Sequence, residues 1–468
     1  MARRTLPLAL AGLIGLSGSL SFGDSLSEIY ELALKNDASL KAAEATYRAN
    51  MENEKIARSA LLPQVSASAE FKTSDTTQSR ESVFELNNTL VPSVSDDDTE
   101  TDSRAYALSL NQAIFDMSAW FSFRAGKQTS REASAQLAAD QQDLIIRVAE
   151  AYFNVLRANE NLEASRAEER AAKRQLEQTQ QRFDVGLIAI TDVHEARAVY
   201  DNTVAQRLGF EATLGTAYEA LSVLTGRPHK LLNEFSEEFP ITPPAPQDRG
   251  QWVDFSLANN HLLKAAIYRM EAAHYQAKSK KSGHLPTLTG SYTYNDFYED
   301  GESISNLNNA VKPLETETDG STVSVRLSVP LYSGGGVSAS RRQAYEQYNA
   351  ALQQKINTQR QVVQQTRSLH LTVGTDVQRI KARKQNIVSA QSALDATKAG
   401  YEVGTRNIVD VLQSQRSLYA AIRDYANTRF DYVLNMLKLK QQAGILSPQD
   451  IYNLDKWLVA DQAKKQDL

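Results

Sequence analysis

Residues 127–185 read KQTSREASAQLAADQQDLIIRVAEAYFNVLRANENLEASRAEERAAKRQLEQTQQRFDV and contain neither glycine nor proline. Those two residues are the ones that break helices, so the stretch predicts a single unbroken helix. At 1.5 Å per residue it is roughly 90 Å long, whereas helices of globular proteins average about 11 residues. A second such stretch follows. No proline occurs between Pro330 and Pro448, and Gly374 is the only glycine from Arg341 to Ala399. Both predict a helical tube or coiled coil.

The periodicity agrees. Leu352, Ile356, Val363, Thr366, His370, Val373, Val377, Ile380, Ile387, Leu394 and Tyr401 recur close to every 3.5 residues, the period of a supercoiled seam. Between Glu163 and Arg182 the one large apolar side chain is Leu176, set among alanines. So thin a stripe suits a single-layer wall of closely packed helices with water on both sides.

The chain is written twice, at a spacing near 220 residues. Arg58–Pro63 matches Lys281–Pro286, and Leu108–Phe115 matches Val325–Tyr332. Phe183-Asp184-Val185-Gly186 with Ile190-Thr191-Asp192-Val193 matches Tyr401-Glu402-Val403-Gly404 with Ile408-Val409-Asp410-Val411. The period is too long for a solenoid and predicts a duplicated half: helix, strand, acidic loop, strand, very long helix, tight turn, long helix.

Four segments alternate in polarity, at about 64–73, 104–115, 287–298 and 322–332. Val65, Ala67, Ala69 and Phe71 share a face; so do Tyr106, Leu108 and Leu110; Leu288, Gly290, Tyr292 and Tyr294; and Val323, Val325, Leu327, Val329 and Leu331. Alternation over about ten residues marks an outer-membrane strand, although a half-buried hairpin in a water-soluble protein looks alike. The polar stretches Ser74–Ser103 and Glu299–Gly320 are expected to be long loops outside the cell, with the long helices pointing into the periplasm.

The N-terminus favours the membrane. Arg3 and Arg4 precede an apolar run, Leu6 to Leu20, and Ser21 and Gly23 suit cleavage before Asp24, so residues 1–23 read as a secretory signal. No later segment is apolar enough for a membrane helix. Four strands cannot close in lipid without leaving unpaired backbone, so the barrel is expected to be shared between copies. Two copies give eight strands, a barrel filled by its own side chains; a pore needs three or more, closed by cyclic symmetry.

The 468 residues are 42% hydrophobic and 23% charged, with a formal charge of −5. Nucleic acid is not expected, since it demands a basic face. The chain has no cysteine, five methionines and six histidines without metal-ligand spacing. No HExxH, nucleophile elbow or phosphate loop occurs, so neither enzyme activity nor a cofactor or bound metal is expected.

Residues Gln181–Val193 and Ala399–Leu412, with Ala151–Leu156, Gly283–Leu288 and Val388–Ala396, resemble the tip and wall motifs of the TolC family of outer-membrane efflux and type I secretion channels (outer membrane factors). The resemblance covers essentially the whole chain beyond the signal. It implies a mainly α protein with a β-barrel part: a homotrimer whose twelve-stranded transmembrane barrel, four strands per chain, continues into a long α-helical periplasmic barrel. A small mixed α/β equatorial domain is expected from residues 231–254 and 447–468, between and after repeats at 24–230 and 255–446. The implied place is the Gram-negative outer membrane. The implied partners are outer-membrane lipid, a periplasmic adaptor (membrane fusion) protein and an inner-membrane RND or ABC transporter.

The resemblance also implies a gate of links between coils, here Thr191 and Asp192 on the first coil and Tyr401 and Arg406 on the second. On the residues alone, Arg406 can pair with Asp192 while Tyr401 donates a hydroxyl; equally, Thr191 and Asp192 are good helix caps. Asp410 matches a carboxylate that forms an acidic ring at the entrance. Two positions depart from the family pattern: Gln413 is neutral where a second carboxylate ring is usual, and Lys398 stands where an acid near Gln175 is usual. Val185, Gly186 and Leu187, with Val403, Gly404 and Thr405, match the tips at which the adaptor docks, and the glycines also suit plain helix ends. Two other uses of the fold stay open: a dedicated metal-ion or other narrow-substrate efflux channel, and a trimeric coiled-coil surface protein with no channel.

Overall fold

The computed structural model describes residues 23–86, 89–236, 238–305 and 310–459; the expected signal, apart from Gly23, and the end of the C-terminal segment lie outside them. The elements in chain order are α1 (Leu26–Asn36), α2 (Ala38–Ser59), β1 (Gln64–Leu86), β2 (Thr89–Phe115), α3 (Met117–Asp184), α4 (Ile190–Thr225), β3 (Glu234–Phe235), α5 (Arg249–Asn259), α6 (His261–Ser282), β4 (Thr287–Ser305), β5 (Ala310–Ser328), α7 (Gly336–Glu402), α8 (Ile408–Gln442), α9 (Pro448–Asp455) and β6 (Leu458–Val459). The two-fold repeat is visible in the order itself. The chain divides into two compact units, one of Met1–Glu44, Ala138–His261 and Arg360–Leu468, the other of Ala45–Leu137 and Leu262–Gln359.

In the second unit, β1, β2, β4 and β5 form one antiparallel sheet in the order β1-β2-β4-β5. Register sets whole rows. Val65 faces Leu110, which faces Tyr292, which faces Val323; one step over, Ala67, Leu108 and Tyr294 align. Because side chains alternate, the other face carries Ser66, Ser109, Thr293 and Thr322 in one row. There the Ser66 and Ser109 hydroxyls sit 2.7 Å apart, as do those of Ser291 and Ser324. The apolar face is bare in the chain: Val65 is 64% exposed, Val323 76% and Val325 66%. Among the described residues no strand lies beside the edges, β1 and β5.

The strands run further than expected. The stretches 74–103 and 299–320, expected as loops, continue the ladders as long hairpins, with Leu86 paired to Thr89 and Ser305 to Ala310. Polar residues dominate both faces there, with apolar ones such as Val83, Leu90, Val94 and Val311 scattered among them, so the alternation that marks a half-buried strand is broken, yet backbone pairing does not need it. Side chains tie the rows instead: Thr73 Oγ1 donates to Asp102 at 2.6 Å and Ser79 Oγ to Asp96 at 2.5 Å. At the other end β5 stops at Ser328, short of the expected 332. Pro330, without an N–H, cannot extend a ladder.

Helix α3 begins ten residues before the glycine-free run and passes through Gly126. A Cβ at Gly126 would lie 2.8 Å from the Asn53 carbonyl oxygen and 2.9 Å from the Ala57 Cβ of α2, so glycine permits the close approach. Further along α3 the seam is buried at Ser165, Glu168, Ala172, Gln175 and Thr179, a 3-4-3-4 spacing of small and polar residues. Glu168 is 3% exposed and is held by Arg423 at 2.8 Å. On α7 the expected seam is buried at Thr366, Val373, Val377, Ile380 and Leu394.

The large core of the first unit gathers α1, the middle of α3, α8 and α9 around Tyr152, Phe153, Phe235 and Phe430. Phe153 is fully buried, with its ring centroid 5.7 Å from Phe235 and 5.9 Å from Phe430. Residues 231–254 and the C-terminal segment meet here: β3 pairs antiparallel with β6, and α9 opens with Ser447 and Asp450 as a capping box. Asp37, 3% exposed, binds Arg147 at 2.5 Å. Burial pushes its carboxyl up, but hydrogen bonds from Arg147 and from the Leu40 and Ser39 amides, with the Arg147 charge, hold it below the ordinary carboxylate range. A carboxyl held low stabilises the fold above the ordinary carboxylate pKa and loses that contribution as pH falls through its folded value.

Two outcomes follow for the purified protein under guanidinium denaturation. Phe153→Ala destabilises by about 3–5 kcal/mol. Arg147→Leu shrinks the stability difference between neutral and acid pH; an unchanged difference assigns the acid sensitivity to other carboxyls.

Candidate functional site

The two tight turns between α3 and α4 and between α7 and α8 share one construction. Gly186 and Gly404 both have φ +79°, in the left-handed region that suits glycine. At the first turn Gly186 N donates to Phe183 O and Leu187 N to Arg182 O; at the second, Gly404 N donates to Tyr401 O and Thr405 N to Gly400 O. This pair of bonds is the Schellman arrangement, which satisfies the last carbonyls of the helix. It leaves Val185, Leu187 and Val403 pointing outward, 70%, 68% and 76% exposed. Helix ending alone does not require apolar side chains in water at both turns.

The helices leaving the turns differ. In α8, Asn407 is the N-cap and accepts from the Asp410 N–H at 2.8 Å. In α4 the N-cap is Ala189, with no side-chain cap. Thr191 and Asp192 therefore sit inside the first turn of α4 and cap nothing, which removes the helix-cap reading. Among the described residues neither side chain has a hydrogen bond or ion pair within the chain.

Arg406, in the turn just before the Asn407 cap, lies not on Asp192 but 3.8 Å from Asp410 in the first turn of α8. Gly400 gives it room, since a Cβ there would stand 2.8 Å from the Arg406 Cγ. Tyr401 packs against Ile408 and Leu412, and against Leu394 and Val411. The Arg182 guanidinium stands over its ring at 4.7 Å. Its hydroxyl is buried and has no hydrogen-bond partner in the chain. The structure thus brings Arg406 to Asp410 and Arg182 to Tyr401, and does not join Thr191 and Asp192 to the second coil within one chain. Asp410 and Gln413 are one turn apart in α8, Gln413 exposed, and Lys398 lines a cavity with Gln175.

Sequence reading passed over Asn407, Gly400 and Arg182. An Asn directly before a helix carries a legible capping signal. The other two have none, since their partners are set by the return of the chain.

Among the described residues no helix is long and apolar enough to cross a membrane, and no cluster of three or more His, Asp or Glu side chains could hold a metal ion. Sheet, long helices and paired turns together define an outer-membrane channel subunit. The chain belongs to the outer membrane efflux protein family, whose model matches residues 29–227 and 252–444, one segment in each repeat. It is 36% identical over 458 residues to outer membrane protein TolC of Vibrio cholerae, covering 97% of this chain and 99% of that one. It is 28% identical over 435 residues to the alkaline protease secretion protein AprF of Pseudomonas aeruginosa, covering 92% and 86%. The fold matches the Campylobacter jejuni CmeC outer membrane channel with a TM-score of 0.71, at 17% identity over 98% of both chains. The place of the protein is the Gram-negative outer membrane, with its helices in the periplasm.

The unequal caps give a testable difference. Asn407→Ala speeds amide hydrogen exchange in the first turn of α8 by several-fold, a loss of about 1 kcal/mol. Ala189→Asp slows it in α4. Equal exchange in all three proteins removes the capping assignment.

Proposed function

We propose that the protein is the exit duct of tripartite drug-efflux pumps and of type I protein secretion, gated at its two helical turns. The observation that carries this reading is the four-stranded sheet with one bare apolar face, one hydroxyl-lined face and two unpaired edges. Unpaired backbone in lipid costs several kcal/mol per group, so β1 of one copy pairs with β5 of the next. Three copies give twelve strands, apolar face to lipid and hydroxyl face to water. A wide wet lumen makes few specific contacts, so selectivity belongs to the pump that feeds it.

The same symmetry supplies the gate. Thr191, Asp192 and the Tyr401 hydroxyl are left without a partner in their own chain, and Arg406 is held only loosely, at 3.8 Å. We assign them to links between coils that hold the entrance closed: Arg406 to Thr191 or Asp192 of a neighbour, with the Tyr401 hydroxyl as a further donor. Release of these ties lets the coil of α7 and α8 swing outward. The Asp410 side chains of three copies meet near one axis, where their charges favour bound cations. The outward apolar residues at the tips, Val185 and Leu187 with Gly186 between them, and Val403 with Gly404 and Thr405, are docking points for a periplasmic adaptor that links the duct to an RND or ABC transporter.

Planar-bilayer conductance tests this. The wild type passes a small, cation-preferring current. Arg406→Ala raises the current and Asp410→Ala lowers the cation preference. Identical currents in all three proteins remove the gate, and crosslinking that yields only monomers removes the shared barrel.

A further inference from the structure

Just before the two tips lies a cavity of about 770 Å³ that neither the gate nor the docking points explain. Its walls come from α3 and the end of α7, with Val411 and Gln415 of α8 beneath. Arg174, Arg182 and Lys398 converge on it, against the single carboxylate of Glu402, so the lining is cationic in a chain of net charge −5.

These cations are not spent on the fold. Among the described residues Arg174 and Lys398 have no ion pair, and the contact found for Arg182 is the face of the Tyr401 ring. Some cations elsewhere on these helices are paired, Arg423 with Glu168 and Arg383 with Asp424, whereas those at the cavity are left to its open space. Tyr401, also in the wall, carries the Arg182 guanidinium over its ring. Three cations without an ion pair around one open space present the charge that a carboxylate needs. Guanidinium grips it with two parallel bonds, and ammonium adds a point charge.

We propose that this cavity seats the carboxylate side chains of an acidic segment on the periplasmic protein that docks at the tips. The proposal rests on the docking reading above and adds the chemistry of the partner. Val185 belongs both to the cavity wall and to the outward apolar tip. A segment that covers the tip therefore reaches the cations along α3, Arg182 within one turn and Arg174 about two turns further. Apolar cover at the turn supplies contact area, and the cations select sign and register.

The first test is binding of a fluorescein-labelled oligoglutamate peptide to the purified full-length protein, read by anisotropy, with oligolysine as control. Oligoglutamate binds at low salt and weakens as salt rises. The Arg174→Gln/Lys398→Gln double variant weakens it at least about tenfold, with melting temperature and trimer unchanged. Equal binding to wild type and double variant, or equal binding of oligolysine, overturns the proposal. So does a double variant that loses the trimer while the wild type ignores oligoglutamate, because the cavity then serves a neighbouring copy. The second test places a photocrosslinker at Leu187 in cells. A crosslink to an adaptor that weakens in the double variant supports the proposal; one that persists at full strength overturns it and leaves the docking reading intact. With no crosslink in the wild type the docking reading fails, and the peptide measurement alone decides whether the cavity takes carboxylates.

Discussion

A backbone amide in hydrocarbon has no water to bond, so every strand edge that enters lipid must be paired. The rest of the molecule answers to that constraint. The chain builds four strands, pairs them in the order β1-β2-β4-β5, and leaves two edges open. Among the described residues no fifth strand joins this sheet: the chain between β2 and β4 forms helices and the short β3, which pairs with β6 instead. The sheet is completed only by copies of itself, closed by cyclic symmetry.

The wall of that tube is held differently from a globular core. The buried seam of α3 runs through Ser165, Glu168, Ala172, Gln175 and Thr179. Small side chains let helices approach closely, and the thin seam leaves both remaining faces wet. Burial of this kind yields little hydrophobic stabilisation per residue. The dense apolar packing is concentrated instead around Tyr152, Phe153, Phe235 and Phe430, where α1, α9 and the β3–β6 pair brace the long helices.

At the tips, two nearly identical turns carry unequal surroundings. Both end in the same glycine geometry, but Asn407 caps α8 while α4 starts without a side-chain cap. The duplicated sequence has thus diverged at these turns. Arg406, beside Asp410 and over Gly400, belongs to the second coil, and Arg182 reaches from the first to stack on Tyr401 of the second.

Periodicity and breakers alone determined the long helices, the four strands, the repeat and the positions of both turns, because each is set by neighbours within a few residues: an absent proline, a glycine at positive φ, an alternating face. The shared barrel was legible too, since four strands are too few for any lipid-embedded sheet. The extension of the hairpins beyond Phe71 and Tyr298 was not, because mostly polar residues with scattered apolar ones leave no alternation to read. Nor was the contact of Arg406 with Asp410 rather than Asp192, the lone hydroxyl of Tyr401, or the gathering of Arg174, Arg182 and Lys398 around one cavity. Those depend on which helices pack side by side and at what height, and Arg174 and Lys398, on opposite halves of the repeat, meet only once the coils have folded.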